Sequence, residues 1–119
     1  MAVGDTVEKI KLSGSTDGKG IKITATSSPG THIHTAVSGT SNFDEIWLYC
    51  YNSAAAATVL YLQCGSTDAD NLVQQTITSK NGFEPVIPGL ILDNSASLKA
   101  YSATASELFI YGFVNQMTT

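Results

Sequence analysis

The sequence predicts an all-β protein: a two-sheet antiparallel β-sandwich, jelly-roll-like, of about eight or nine strands. Three observations predict it. Short segments of alternating apolar and polar residues, rich in β-branched and aromatic side chains, recur along the chain. Clusters of Gly, Ser, Asn, Asp and Pro punctuate them. No segment sustains a helical period, and 119 residues are enough for one core but not for two.

Taken in order, "TVEKIKL" (Thr6 to Leu12) sets Val7, Lys9 and Lys11 on one face and Glu8, Ile10 and Leu12 on the other. The stretch "SGSTDGKG" (Ser13 to Gly20) offers no side chain to a core. Residues 1–20 therefore read as an extended or partly mobile N-terminal arm, and 21–119 as the sandwich domain. "IKITAT" (Ile21 to Thr26) and "THIHTAV" (Thr31 to Val37) are strands flanking an "SSPG" turn. In the second, alternation puts Thr31, Ile33, Thr35 and Val37 on one face and His32, His34 and Ala36 on the other.

"DEIWLYCY" (Asp44 to Tyr51) has Ile46, Leu48 and Cys50 on one side and Trp47, Tyr49 and Tyr51 on the other. A hairpin turning near Asn52 to Ala56 into "TVLYLQCG" (Thr58 to Gly65) sets Cys50 opposite Val59 and away from Cys64. That disfavours a disulfide and leaves two buried free thiols. "NLVQQTIT" (Asn71 to Thr78) is a strand, and "SKNG" a tight turn on Asn81 and Gly82, a pairing that accepts positive φ. "FEPVIPGLIL" (Phe83 to Leu92) carries Pro85 and Pro88, which exclude it from the middle of a sheet. After "ASLKAYSA", the last strand, "SELFIYGFV" (Ser106 to Val114), sets Leu108, Ile110 and Val114 against Phe109, Tyr111 and Phe113.

Strands apolar on both faces need two covers. In a domain this small the sandwich core is one, and a subunit interface is the economical second. Trp47, Tyr49, Tyr51, Phe109, Tyr111 and Phe113 are the residue types that populate interface centres, and they are the interface candidates. Composition agrees: 13% of residues are charged, against about 25% in an average soluble protein, so docking desolvates few charges.

The net charge of −4 and the absence of arginine argue against nucleic-acid binding, because the bidentate fork that grips phosphates and guanine is missing. Four of the six lysines, Lys9, Lys11, Lys19 and Lys22, fall in the first 22 residues. No basic end precedes an apolar core, and the run from Ala54 to Leu62 is far short of the ~20 residues that span a bilayer, so neither export nor membrane insertion is expected.

No catalytic constellation emerges. The chain has no G-x-S-x-G elbow, its glycine clusters lack the setting of a phosphate loop, and the adjacent Asp44 and Glu45 point to opposite faces of a strand. "STDADN" has oxygen ligands, but Val73 stands where a calcium loop needs glycine and no glutamate closes it. His32 and His34 share a face by alternation and are the only candidate metal pair; two ligands do not complete a site, so a polar contact face is the preferred reading. No enzyme activity and no cofactor are expected.

The stretch "THIHTAVSGTSNFDEIWLYCYN", then "PGLIL" and a closing "LFIYGFVN", resembles small structural proteins of tailed bacteriophages. The resemblance runs from about Thr31 to Asn115 and leaves out the N-terminal arm. It implies a capsid decoration, or cement, protein: a β-sandwich subunit, often trimeric, that binds the major capsid protein on the outer head surface and is made in the host cytoplasm. On that reading the four N-terminal lysines are capsid-contact candidates, suited to an acidic shell. The competing reading is a receptor- or carbohydrate-binding module of a phage fibre or tail, its exposed aromatics stacking on sugar rings.

Overall fold

The computed structural model describes residues 6–118; Met1 to Asp5 of the N-terminal segment and Thr119 lie outside the described residues. Among the described residues nine strands form, in chain order: β1 Thr6–Ile10, β2 Ile21–Lys22, β3 Thr31–Thr35, β4 Phe43–Asn52, β5 Thr58–Gly65, β6 Leu72–Ile77, β7 Glu84–Leu92, β8 Ser97–Ser102 and β9 Leu108–Thr118. A 3-10 turn, Ala69–Asn71, precedes β6. They build a five-stranded sheet, ordered β1-β9-β4-β7 with β2 also on β9, and a four-stranded sheet, ordered β3-β8-β5-β6.

The order has a simple origin. β1 pairs with β9, β3 with β8, β4 with β7 and β5 with β6, all antiparallel, so the chain is one long ribbon doubled back on itself. Rolling that ribbon joins β9 to β4 and β8 to β5 and yields the two facing sheets of a jelly roll. The expected β-sandwich is what forms.

The two longest apolar alternations set the core. In β4, Ile46, Leu48 and Cys50 are fully buried while Trp47, Tyr49 and Tyr51 are only partly covered; in β9, Leu108, Ile110 and Val114 are fully buried and Phe109, Tyr111 and Phe113 partly covered. Leu60, Leu62, Leu98 and Ala100 close the core from the facing sheet. Gly112 lies opposite Leu48, and a Cβ there would collide with the Trp47 carbonyl and crowd the Leu48 Cα. The glycine lets β9 approach β4 at this point. Pro85 and Pro88 sit in β7, which pairs only with β4 and forms one sheet edge, as proline's missing N–H requires.

Several sequence expectations are corrected. β4 and β5 are not a hairpin: they belong to different sheets, because the rolled ribbon crosses from one to the other between them. Cys50 lies beside Ile110 and Glu84, not Val59, and both cysteines are free thiols. Positive φ in the turn before β7 falls on Lys80 and Gly82, not on Asn81.

The N-terminal segment is tied into the sandwich where it is described. β1 pairs with β9 over its five residues, Leu12 is 2% exposed within the core, and the Gly14 N–H donates to the Ile33 carbonyl. The loop from Ser13 to Gly20 anchors by backbone groups where it lacks apolar side chains.

Candidate functional site

The histidine pair is split by a register shift in β3 between His32 and His34. A bulge places one extra residue in the strand and reverses the alternation beyond it. Ile33 and His34 are therefore both buried, Ala36 follows His34 inward, and His32 and Thr35 stay at the surface. The shared face expected from alternation does not exist.

Each imidazole has its own partners. The His34 Nδ1 accepts from the Ser13 backbone N–H at 2.9 Å, so the ring proton sits on Nε2, which donates to the Asp44 Oδ2 at 2.7 Å. Asp44 is fully buried; its Oδ2 also accepts from the Val37 N–H at 3.2 Å, and its Oδ1 from the Gln116 amide at 3.0 Å. Three donors around one carboxylate satisfy a charge that burial alone would make costly. With both ring nitrogens engaged, His34 has no lone pair to offer a metal. His32 instead faces the Ser13 hydroxyl at 3.2 Å. Its ring is held below the usual imidazole range, first by partial burial and then by the positive charge of nearby Lys99.

The members of a serine–histidine–aspartate relay are thus divided, since Ser13 meets His32 while Asp44 meets His34. The buried pair joins β3, the β3–β4 connection, β4, β9 and the N-terminal segment. Among the described residues no three His, Cys, Asp or Glu side chains gather to hold a metal. The thiols are protonated well above neutrality: burial, then the charge of Glu84, pushes Cys50 up to about 12, and burial raises Cys64.

The six aromatic candidates come together. Trp47 stands opposite Phe113, Tyr49 opposite Tyr111 and Tyr51 opposite Phe109, forming three cross-strand pairs up the outer face of β4 and β9. The Trp47 and Phe113 rings stack at 6.3 Å with 10° between planes. Each such pair contributes about 0.2–1 kcal/mol to the sheet, yet all six side chains remain partly open to solvent.

Two lysine candidates rim this ladder. The Lys9 Nζ lies 4.7 Å from the Phe113 ring centroid, and the Lys22 Nζ 5.9 Å from that of Phe109. Lys11 and Lys19 are exposed, but no ring contact joins them to the face. At the upper rim, Glu45 accepts from the Trp47 indole N–H at 2.7 Å and from the Asn115 amide at 3.1 Å. Those two bonds, indole first, hold its carboxyl below the usual range.

Sequence reasoning missed Phe83. It is 62% exposed and meets the edge of Tyr111 at 4.8 Å, extending the aromatic surface beyond the two central strands. It follows a turn signal, so nothing local marks it. Gly20 ends a stretch with no core side chain, yet an ideal Cβ there would lie 2.6 Å from the Tyr111 ring; its bare backbone lets the loop end rest on that ring.

The fold and this face define a β-sandwich with one aromatic, lysine-rimmed sheet surface and no assembled reaction centre among the described residues. Comparison with protein-family models, curated proteins and solved structures yields no match.

Proposed function

We propose that this protein is a non-enzymatic structural subunit of a tailed-phage virion, a decoration protein that binds the outer surface of the assembled capsid. The observation that carries the reading is the partly exposed ladder of Trp47, Tyr49, Tyr51, Phe109, Tyr111 and Phe113, rimmed by Lys9 and Lys22. A contiguous, partly exposed row of aromatic side chains suits contact with another protein surface, and the resemblance of the sequence to phage decoration proteins supports which kind. Burying the ladder, against sister subunits of a homotrimer and the major capsid protein, supplies affinity; the lysines supply attraction to acidic groups.

Stabilisation follows from mass action. A subunit that binds only the assembled, expanded shell favours that state by its binding free energy, and repetition over the lattice multiplies the effect. The test is sedimentation of the purified protein with expanded capsids. Wild-type protein co-sediments, and Trp47→Ala with Tyr111→Ala does not, while folding is retained. Retention on glycan columns through the same aromatics, with no capsid binding, overturns the reading in favour of a sugar-binding module.

A further inference from the structure

Ser13 is held by both imidazoles of the chain. Its backbone N–H donates to the His34 Nδ1 at 2.9 Å, and its hydroxyl lies 3.2 Å from the His32 Nε2. The same hydroxyl accepts from the Thr35 N–H at 2.8 Å, and the Gly14 N–H donates to the Ile33 carbonyl at 2.9 Å. Ser13 and Gly14 thus form a short strap along β3, an edge strand whose sheet partner is β8.

These four contacts respond differently to acid. A hydroxyl both donates and accepts, so the bond between Ser13 and His32 survives protonation of His32 by reversing its direction. The bonds to Ile33 and Thr35 involve no titrating group. The bond to His34 has no such freedom. The Nε2 already carries the ring proton that it donates to Asp44, so a second proton has only Nδ1 to occupy, where the Ser13 N–H now points. Two N–H groups would then face each other in a buried site, and a backbone N–H cannot become an acceptor. Proton uptake exchanges one bond for another: the contact from Nε2 to the Asp44 Oδ2 becomes charge-assisted, and Ser13 loses its acceptor.

We propose that His34 is a proton-operated latch. Neutral, it fixes the Ser13–Gly14 strap on the β3 edge; protonated, it stays on Asp44 and releases the strap. The groups around the ring leave the decision to His34. β4 contributes Asp44, whose oxygens also hold the Val37 and Gln116 donors, and β9 contributes Gln116, which is neutral. β8 sets Leu98 opposite His34, while its charged Lys99 stands opposite His32. Leu12, 2% exposed in the core, keeps the segment anchored, so the opening is confined to the strap. Release frees the Ile33 carbonyl and the Thr35 N–H along the β3 edge. The latch does not depend on the decoration reading, since none of its residues belongs to the aromatic ladder or its lysine rim.

It is tested by NMR on the full chain, reading the His34 imidazole nitrogen shifts together with backbone amide protection, corrected for intrinsic exchange, through an acid titration. At neutral pH the shifts report a proton on Nε2 alone. As Nδ1 takes up its proton, the Ser13 and Gly14 amides lose protection roughly tenfold, the factor that one net hydrogen bond carries, while the amides of the β4–β9 pair keep theirs. His34→Asn, whose Oδ1 accepts from the Ser13 N–H but takes up no proton, holds the strap through the same range. If that variant fails to fold, the wild-type titration still decides. Ser13 protection that persists after Nδ1 is protonated overturns the inference, as does a ring that keeps one proton until the whole sandwich unfolds. Strap release that vanishes in His32→Gln, or that persists in a folded His34→Asn, also overturns it, because the controlling group is then not His34.

Discussion

The His34 imidazole and the Asp44 carboxylate, 2.7 Å apart and both buried, form an ionisable pair inside the sandwich, where the other buried polar side chains, Asn52, Thr58, Gln63 and Ser102, are neutral. The pair is structural by its bonding: every acceptor and donor on both side chains is spent on Ser13, Val37, Gln116 and each other. Asp44→Ala leaves three donors without their acceptor and should cost about 3–5 kcal/mol, the loss expected when one member of a buried pair is removed. Urea denaturation measures it. His34→Ala combined with Asp44→Ala should cost less than the sum of the single changes, because both remove the same interaction.

Glu45 and Trp47 provide an optical reporter of the proposed contact face, since the chain contains one tryptophan. The Glu45 carboxyl titrates below its ordinary value of 4.5 because the ionised form accepts from the indole and from Asn115. The contribution to stability is present above that unfolded value and is lost as pH falls through the folded one. Trp47 fluorescence should therefore change with a midpoint below 4.5, and Glu45→Gln should remove the transition.

His32 gives a second pH dependence in a different window. Its folded value lies below the ordinary 6.5, so the unfolded chain takes up the proton first. Stability is level above 6.5 and declines as pH falls through the folded value. His32→Gln should flatten that decline in thermal melts recorded from neutral pH downward.

Gly112 is the backbone test of the β4–β9 contact. Gly112→Ala drives a methyl group into the Trp47 carbonyl and the Leu48 backbone, neither of which can rotate away. A loss of about 3 kcal/mol or more is expected, above the usual range for overpacking because backbone must move. Gly20→Ala meets the Tyr111 ring first, a side chain that can swing aside, and should cost less. Thermal midpoints of the two variants make the comparison.

Leu12 measures how firmly the N-terminal segment belongs to the domain. With its side chain in the core, Leu12→Ala should cost about 2–5 kcal/mol. Equilibrium denaturation is the check, and a loss near zero would free the segment to act as a separate arm.

The parts of the fold legible in the sequence are those governed by local alternation. β4 and β9 display their two faces residue by residue, and the prolines of β7 announce an edge, so the sandwich and its six aromatic residues could be read directly. Partner choice could not. Whether β4 meets β5 or β9 depends on how the ribbon rolls, a property of the whole chain, and the expected Cys50–Val59 pairing failed for that reason. The histidine face failed for a smaller one: a single bulge residue, with no proline or glycine to signal it, turns His34 inward and leaves His32 outside. That Lys9 and Lys22 lie against Phe113 and Phe109, whereas Lys11 and Lys19 do not, required the register of β1 and β2 on β9.

The most direct measurement of the central claim is the density of this protein in purified virions. The account predicts subunits on the outer head lattice with Trp47, Tyr111 and Phe113 buried against a neighbouring protein surface. Density on the tail, or subunits whose aromatic ladder faces open solvent, would contradict it.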